Sequence, residues 1–334
     1  MLSLKVGLLG GGSWGTTVAS LVARNAPITL WARNPDTVAD INQRHRNSKY
    51  LGDCVLPDKL VASSDIEETV ADADVLVMAI PSQNFRAVLL EVKKHLRPWV
   101  PVLSLTKGLE LDTRMRMTQI INEILPGHPV GVLTGPNLAR EIMAGQAAAS
   151  VIAMTDKVIL CELQKLFNSG LFRVYTNDDV LGCEIGGVLK NIIAIAVGMG
   201  DGQGAGDNTR AALITRGLAE VTRLGVAMGG RPETFAGLAG MGDMIATCTS
   251  PQSRNRHVGM ELGKGRTMED ISREMFMVAE GAKSAPAVMA LAEQYGVEMP
   301  IAQDVYRVVT GESNALRAFR GLLRVDAGAE HEPG

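Results

Sequence analysis

Residues 5–15 of the chain read KVGLLGGGSWG, and this stretch decides the fold. A short apolar run leads into Gly10, Gly12 and Gly15, which have the spacing Gly-x-Gly-x-x-Gly and open a segment of helical periodicity. Glycine is needed three times in such a turn: for the tight bend, for close approach of a pyrophosphate to the backbone, and for packing of the helix on the strand. The stretch therefore predicts a dinucleotide-binding βαβ unit, and the alternative is a glycine-rich turn that binds no ligand.

The first half of the chain alternates β-branched runs with amphipathic segments, a pattern typical of βαβ units. Strands are predicted at residues 4–9, 28–31, 75–79, 100–105, 130–133, 148–153 and 172–175. Helical spacing occurs at residues 14–24, 85–96, 115–124 and 157–167. The pattern predicts an α/β fold with a doubly wound, Rossmann-type parallel sheet.

The second half has a different character. After about residue 179 the strand-like runs disappear, and helical spacing is interrupted by glycine-rich breaks at 198–206 and 237–242. Since 334 residues exceed what one core usually fills, two domains are predicted. A nucleotide-binding domain should span 1–180 and a mainly helical substrate and catalytic domain 181–325, while the small, acidic residues 326–334 should form a disordered tail.

Composition excludes several classes of partner. The net charge of −3 provides no basic surface for nucleic acid or an anionic membrane. The cysteines are scattered and no histidine lies at metal-ligand spacing, so no disulfide framework and no metal site is expected, and a cytoplasmic location fits. The apolar N-terminal run is interpreted as a strand rather than an export signal. The apolar residues 188–199 are too few to span a membrane, so no membrane span is expected.

The end of the second predicted strand bears on the choice of cofactor. An acidic residue there would accept hydrogen bonds from the adenosine ribose of NAD, but this chain has Arg33. A guanidinium can instead bind a 2'-phosphate, which favours NADP. Asp36 lies close by and an exposed arginine after a strand is common, so NAD also remains open.

Two lysines have unusual apolar neighbours. Lys107 follows residues 100–105, at the carboxyl end of a predicted parallel strand, where open α/β sheets bind their ligands. Lys190 interrupts the apolar run 186–193. A buried ammonium needs a partner, and burial lowers its pKa toward the range useful for proton transfer. Pattern alone favours the other interpretation, in which each side chain extends along an apolar surface into solvent.

A third cluster of interest follows in the second half. Asp243 stands among small and apolar residues, where it could cap a helix or pair with a lysine. Ser253, Arg254 and Asn255 form a group of donors that could hold an anion, and their alternative is a solvated basic surface.

Together these motifs resemble the bacterial NAD(P)-dependent glycerol-3-phosphate dehydrogenases, from the first strand to about residue 320. The matching segments are residues 10–15, 31–33, 79–82, 104–110, 135–136, 187–191, 209–217, 240–243 and 253–255. The resemblance implies a Rossmann-type domain followed by a helical domain like that of 6-phosphogluconate dehydrogenase, with the active site in the cleft between them. It implies hydride transfer between NADPH or NADH and dihydroxyacetone phosphate, giving glycerol 3-phosphate for phospholipid synthesis, in a homodimer.

The resemblance also assigns roles residue by residue. Lys190 matches the catalytic lysine, Lys107 would add positive charge near the reacting oxygen, and Asp243 would orient the Lys190 ammonium. The substrate contacts it implies are Lys107, Gly135, Asn137, Lys190, Asp243, Ser253, Arg254 and Asn255. The cofactor contacts it implies are Gly10, Gly12, Ser13, Trp14, Gly15, Arg33, Lys107, Ala139, Arg254, Val278 and Glu280.

One position departs from the family pattern, because Asn137 stands where serine or threonine is usual. An amide also donates and accepts hydrogen bonds, so the contact should persist with altered geometry. Two other functions stay open at this point: a related two-domain dehydrogenase for another hydroxy acid, and a redox sensor that binds the cofactor without chemistry.

Overall fold

The computed structural model of the protein describes residues 4–275 and 279–322. Its chain divides into two compact units. The first comprises Met1–Lys107 and Met115–Val180, and the second comprises Gly108–Arg114 and Leu181–Gly334. The expectation of one unbroken domain over 1–180 is therefore corrected at Gly108–Arg114, because Leu109 in this segment is fully buried in the core of the second unit. The tail predicted at 326–334 lies outside the described residues.

The first unit alternates strands and helices. Its strands are β1 (Val6–Leu9), β2 (Ile28–Trp31), β3 (Leu60–Ser63), β4 (Val75–Met78), β5 (Val102–Ser104), β6 (Val130–Thr134), β7 (Ala148–Met154) and β8 (Phe172–Asn177). Its helices are α1 (Ser13–Val22), α2 (Pro35–Arg44), α3 (Ser48–Leu51), α4 (Ile66–Val70), α5 (Ser82–Val92), α6 (Met117–Ile124), α7 (Ala139–Met143) and α8 (Lys157–Phe167).

These strands form one sheet in the order β3-β2-β1-β4-β5-β6-β7-β8. The order reverses at β1, which pairs in parallel with both β2 and β4. The predicted doubly wound sheet is confirmed, and its reversal point places the glycine-rich turn where such sheets bind ligands.

The expectation of a wholly parallel sheet is wrong at one pairing, since β7 runs antiparallel to β6. The segment between them contains only the five-residue α7, which is shorter than the crossover helix that a parallel connection usually carries. Strand β3 was not predicted, because a four-residue apolar run gives too little periodicity to recognise.

The alternation of side chains along the strands divides the core of this unit in two. Val75 and Val77 of β4 belong to one apolar cluster, whereas Leu76 and Met78 belong to the other. Because successive side chains of a strand point to opposite faces, helices cover both faces of the sheet.

The second unit is helical within the described residues. Its helices are α9 (Val180–Gly202), α10 (Asp207–Ala227), α11 (Pro232–Ala236), α12 (Asp243–Thr249), α13 (Arg254–Gly263), α14 (Met268–Glu274), α15 (Glu280–Gln294), α16 (Pro300–Val309) and α17 (Ala315–Leu322), with a π-helical turn at Leu238–Gly242.

Helix α9 forms the centre of this unit. It is longer than its apolar stretch suggested, and in the described part of the chain it alone has the length and hydropathy to cross a membrane. In the most apolar part of the helix, 89% of the residues are buried inside the protein, as expected of a core helix. The length argument from residues 188–199 was therefore wrong, and the burial of the helix explains its apolar character.

Helices α9 and α13 approach each other through glycine. A Cβ atom on Gly198 of α9 would lie 2.1 Å from the carbonyl oxygen of Arg256, and one on Gly259 of α13 would lie 2.1 Å from that of Ile195. The two backbones are therefore in direct contact, and the contact holds the beginning of α13 against the middle of α9.

Candidate active site

The glycine-rich turn has the geometry that its spacing predicts. Gly10 has φ +125°, and a Cβ atom on it would lie 2.4 Å from the carbonyl oxygen of Ala79. A Cβ atom on Gly15 would lie 2.0 Å from the carbonyl oxygen of Gly10. These two glycines are thus required by the fold of the turn itself.

Gly12 has a different reason to be glycine, because a Cβ atom there would meet nothing within 4 Å. The space beside its backbone is open, as needed if a pyrophosphate approaches the turn closely. Gly12 also precedes the first turn of α1, and no side chain caps that helix end. The uncapped N–H groups and the positive end of the helix dipole suit an anion, so the turn fits a dinucleotide.

The residues flanking the turn have distinct environments. Ser13 begins α1, and the indole ring of Trp14 lies 6.4 Å from the ring of Phe172. The Trp14 Nε1 atom is buried without a hydrogen-bond partner among the described residues. Arg33 is exposed two residues after the end of β2, and Asp36 lies in the first turn of α2.

A second group of residues lies at the carboxyl ends of β5 and β6. The Lys107 Nζ atom donates to the carbonyl oxygen of Gly135 at 2.9 Å. Gly135 has φ +134°, a conformation that favours glycine. Ser150 Oγ lies 3.0 Å from Asn137 Oδ1, and Asn137 Nδ2 is buried without a partner among the described residues. Ala139 begins α7.

In the second unit, Lys190 and Asp243 form a buried ion pair. Lys190 lies in the middle of α9 with 5% of its surface exposed, and Asp243 begins α12 with 1% exposed. The Lys190 Nζ atom donates to Asp243 Oδ1 and also to Thr247 Oγ1, the latter at 2.5 Å. Lys190 therefore does not extend into solvent, because its charge is matched inside the protein.

Thr247 was not identified from sequence. Its hydroxyl hydrogen is donated to the main-chain oxygen of Asp243 at 2.6 Å. A lone pair of the Thr247 hydroxyl oxygen is therefore available to accept from the Lys190 Nζ atom. The spacing of Asp243 and Thr247 is four residues on one helix, which places both on the same face. That spacing is the signal that could have found it.

The π-helical turn Leu238–Gly242 directs Asp243 into the core. The N–H group of Gly242 donates to the carbonyl oxygen of Gly237 at 3.0 Å, five residues earlier. Asp243 is consequently the first residue of α12 rather than its N-cap, so the capping interpretation was wrong. π-helical turns are rare in proteins overall, and those that occur are often found at functional sites.

Cys248 shares this environment. It is fully buried, and desolvation raises the pKa of its thiol to about 12 despite the nearby Lys190 ammonium. The thiol is therefore protonated at neutral pH and has no nucleophilic role.

The residues 253–255 are divided between structural and exposed positions. The side chain of Ser253 caps α13 by accepting from the N–H group of Arg256 at 3.3 Å. Asn255 Nδ2 donates to Asn191 Oδ1 at 3.0 Å, and Asn255 Oδ1 accepts from the N–H group of Gly281 at 3.0 Å. These bonds connect α9, α13 and α15.

Arg254 differs from its neighbours because its side chain reaches solvent. Desolvation by the surrounding protein lowers the pKa of its guanidinium, and the negative charge of Glu280 offsets only part of that shift. Glu280 begins α15. Val278, predicted as a cofactor contact, lies outside the described residues.

The structure thus brings the predicted site residues together in three groups. Gly10, Gly12, Ser13, Trp14 and Gly15 form the turn and the start of α1. Lys107 and Gly135 are in direct contact, with Asn137 in the loop that follows and Ala139 at the start of α7. Lys190 is paired with Asp243. The glycine-rich turn on a Rossmann-type sheet and the buried lysine–carboxylate pair in a helical second unit define a class of protein, the nicotinamide-dependent oxidoreductases.

Comparisons with known proteins identify the family within that class. The model of the NAD-dependent glycerol-3-phosphate dehydrogenase N-terminus matches residues 5–159, and that of the C-terminus matches residues 179–320. The chain therefore belongs to the NAD-dependent glycerol-3-phosphate dehydrogenase family. This confirms the resemblance drawn from the sequence.

Individual relatives agree with the family models. The chain is 70% identical over 333 residues to a glycerol-3-phosphate dehydrogenase [NAD(P)+] of Sphingopyxis alaskensis, with 100% of both chains covered. It is 56% identical to one of Mycobacterium tuberculosis, covering 98% of this chain and 96% of that one. The crystal structure of glycerol-3-phosphate dehydrogenase from Coxiella burnetii matches with TM-score 0.92 and 34% identity, covering 97% and 99% of the two chains.

Proposed function

We propose that the protein catalyses hydride transfer between NAD(P)H and dihydroxyacetone phosphate, giving sn-glycerol 3-phosphate. The observation that carries the proposal is the buried pair of Lys190 and Asp243. An ammonium group shielded from water is suited to proton transfer. A buried ion pair adds little net stability, so stability alone does not explain its presence. Family membership supports the same reaction.

The first unit binds the cofactor in this proposal. Backbone N–H groups at the start of α1 hold the pyrophosphate, and Gly12 leaves the space for it. Trp14 offers an indole N–H that lacks a partner among the described residues, and Arg33 is exposed where the adenosine ribose would lie. Ala139, which begins α7, is a further contact in this unit that the resemblance implies. When bound, the nicotinamide supplies or accepts the hydride at C2 of the substrate.

Lys190 transfers the proton. As the ketone is reduced, the oxygen on C2 gains a pair of electrons and takes a proton from the Nζ atom; in the oxidation, the same proton returns to the amine. Asp243 and Thr247 orient the Nζ atom, and the Asp243 carboxylate stabilises the ammonium form. Lys107, fixed by Gly135, adds positive charge for the same oxygen.

The phosphate of the substrate is held by Arg254, with Asn255 and Ser253 beside it at the start of α13. Of the three, Arg254 is the cation and is accessible to solvent, so it provides the main charge for the anion. Binding energy from this remote group then aligns the reacting carbon. Gly135 and the amide of Asn137 contact the substrate from the loop after β6.

Further parts of the proposal rest on the resemblance. They are a homodimer and a role in supplying glycerol 3-phosphate for phospholipid synthesis. The preference for NADP rests instead on Arg33, and the cytoplasmic location rests on the scattered cysteines.

The direct test is to follow NADPH absorbance when dihydroxyacetone phosphate is added to the purified protein. We expect oxidation of NADPH that depends on both protein and substrate, with glycerol 3-phosphate as the product. Binding of NADPH with no oxidation would instead support the redox sensor, and activity on another keto acid but not this substrate would support a related dehydrogenase.

A further inference from the structure

Asn47 makes an unusual contact with the glycine-rich turn. It stands immediately before α3, 36 residues beyond Gly11 in sequence, and only 1% of its surface is exposed. Its Nδ2 atom donates to the carbonyl oxygen of Gly11 at 2.9 Å and to Thr16 Oγ1 at 2.8 Å. Both amide hydrogens are therefore directed at the turn and at the helix that follows it.

This use of an asparagine departs from what its position favours. Asparagine before a helix normally caps that helix with its side-chain oxygen, but Asn47 makes no such bond. Its Oδ1 atom is buried without a partner among the described residues, which is unfavourable. Because a carbonyl oxygen can only accept, Nδ2 must face Gly11, and the orientation of the amide is fixed.

The position of Asn47 is itself secured by α2. The N–H group of Ser48 donates to Asp40 Oδ2 at 2.8 Å, and Asp40 also accepts from Arg44 Nε at 2.8 Å. The N–H group of Leu56 donates to the carbonyl oxygen of His45 at 2.8 Å, which closes the loop around Asn47. The amide therefore has a rigid support.

The contact fixes the orientation of one peptide group. The peptide between Gly11 and Gly12 is trans, so its carbonyl and its N–H group point in opposite directions. With the Gly11 oxygen held by Asn47, the N–H group of Gly12 points away from Asn47. Gly12 is the glycine beside which the space is open.

We infer that Asn47 is a positioning residue, which locks the Gly11–Gly12 peptide so that the Gly12 N–H donates to a phosphate oxygen of the dinucleotide. The inference rests on the proposed function, since it requires that the turn binds NAD(P)H. Asn47 itself does not touch the cofactor, and its effect passes through the backbone.

The test is Asn47→Ala, with NADPH affinity measured by fluorescence titration. Loss of the contact frees the peptide to rotate and leaves the Gly11 oxygen without its partner, so the dissociation constant for NADPH should rise roughly tenfold or more. The KM for NADPH should rise in parallel, while kcat at saturating NADPH stays within about twofold of the wild type, because the reacting groups are unchanged.

Asn42→Ala is the matched control. The side chain of Asn42 also bonds to the main chain of a distant segment. Its Nδ2 atom donates to the carbonyl oxygen of Ala62 at 2.8 Å, and its Oδ1 atom accepts from the N–H group of Ala62 at 2.8 Å. These bonds join α2 to β3 and do not reach the turn. We expect a loss of thermal stability in this variant with NADPH affinity close to that of the wild type.

The outcomes separate the inference from the function on which it rests. A wild-type protein that does not bind NADPH contradicts both. Normal binding by the wild type, together with an Asn47→Ala affinity within twofold of it or equal to that of Asn42→Ala, overturns the inference alone.

Should Asn47→Ala fail to fold, the wild type still provides a test. Exchange of the Gly12 amide hydrogen, followed by NMR with labelled glycine, should slow when NADPH binds. Unchanged exchange at Gly12 overturns the inference.

Discussion

The Lys190 ammonium on α9 donates to the Asp243 carboxylate on α12, across 53 residues of sequence and inside the protein. Removing two charges from water costs several kcal/mol for each ion, and the attraction between them roughly offsets that cost. The pair thus contributes little net stability, but leaving either partner alone in the core is strongly unfavourable. This asymmetry governs how variants at the two positions should behave.

Lys190→Met should lower kcat by about 10²- to 10⁴-fold, because the proton donor is lost. It should also cost about 3–5 kcal/mol of stability, since Asp243 is left charged and buried. The double variant Lys190→Met/Asp243→Asn should recover much of the stability and none of the activity. Steady-state kinetics and thermal unfolding separate the two effects, with the exposed Lys157→Met as the control. Turnover near the wild-type value in either variant would remove Lys190 from the mechanism.

Gly12→Ala and Gly15→Ala should have opposite consequences. A methyl group on Gly12 has open space, so the variant should fold with an unchanged melting temperature but should bind NADPH much more weakly. A methyl group on Gly15 would lie 2.0 Å from the Gly10 oxygen, so that variant should be destabilised. Thermal unfolding and fluorescence titration measure the two properties. Normal NADPH affinity in Gly12→Ala would show that the phosphates bind elsewhere.

Arg254→Ala should raise the KM for dihydroxyacetone phosphate by about ten- to a hundredfold, because a charge-assisted bond to the phosphate is lost. The neighbouring Arg256→Ala provides the contrast, since Arg256 Nε donates to the buried Asp201 at 2.7 Å and ties α13 to α9. That variant should lose thermal stability first. Kinetics at varied substrate distinguishes them, and an unchanged KM in Arg254→Ala would place the phosphate at another cation.

Arg33→Asp should shift the cofactor preference from NADPH toward NADH. The carboxylate would repel a 2'-phosphate and accept hydrogen bonds from a free ribose, as an acidic residue at this strand end does elsewhere. The measurement is the ratio of kcat/KM for the two cofactors at fixed substrate. A ratio equal to that of the wild type would show that Arg33 does not read the ribose.

Glu220 should make stability depend on pH. The residue has 2% of its surface exposed, and its carboxylate accepts from the N–H groups of Ile301 at 2.7 Å and Ala302 at 3.2 Å. Desolvation raises its pKa from an ordinary 4.5 to about 7. Between these values the folded protein holds the proton more tightly than the unfolded chain, so stability from this group is complete below pH 4.5 and declines as pH rises to 7.

The decline due to Glu220 should amount to about 3 kcal/mol. Glu220→Gln cannot titrate, so subtracting its unfolding free energy from that of the wild type at each pH isolates the contribution of this carboxylate. Urea unfolding at several pH values between 5 and 8 provides the measurement. Parallel curves for the two proteins would mean that Glu220 titrates normally.

Local sequence determined much of this protein. The glycine spacing at 10–15 predicted the strand, turn and helix, because each glycine answers a steric demand made by residues close in sequence or by the adjacent strand. The alternating apolar runs predicted the doubly wound sheet, and their loss after residue 179 predicted the helical second unit. These features depend on periodicity, which is written in consecutive residues.

Only the tertiary structure decided which polar residues act together. Lys190 could have reached solvent and Asp243 could have capped a helix; the π-helical turn at Leu238–Gly242 and the core position of α9 pair them instead. Asn47 and Gly11 meet because α2 and α3 bring the chain back to the turn. No sequence pattern within either segment predicts this hydrogen bond. The reason is physical: burial and hydrogen-bond partners depend on which distant segments pack together, and that choice is made by the whole chain at once.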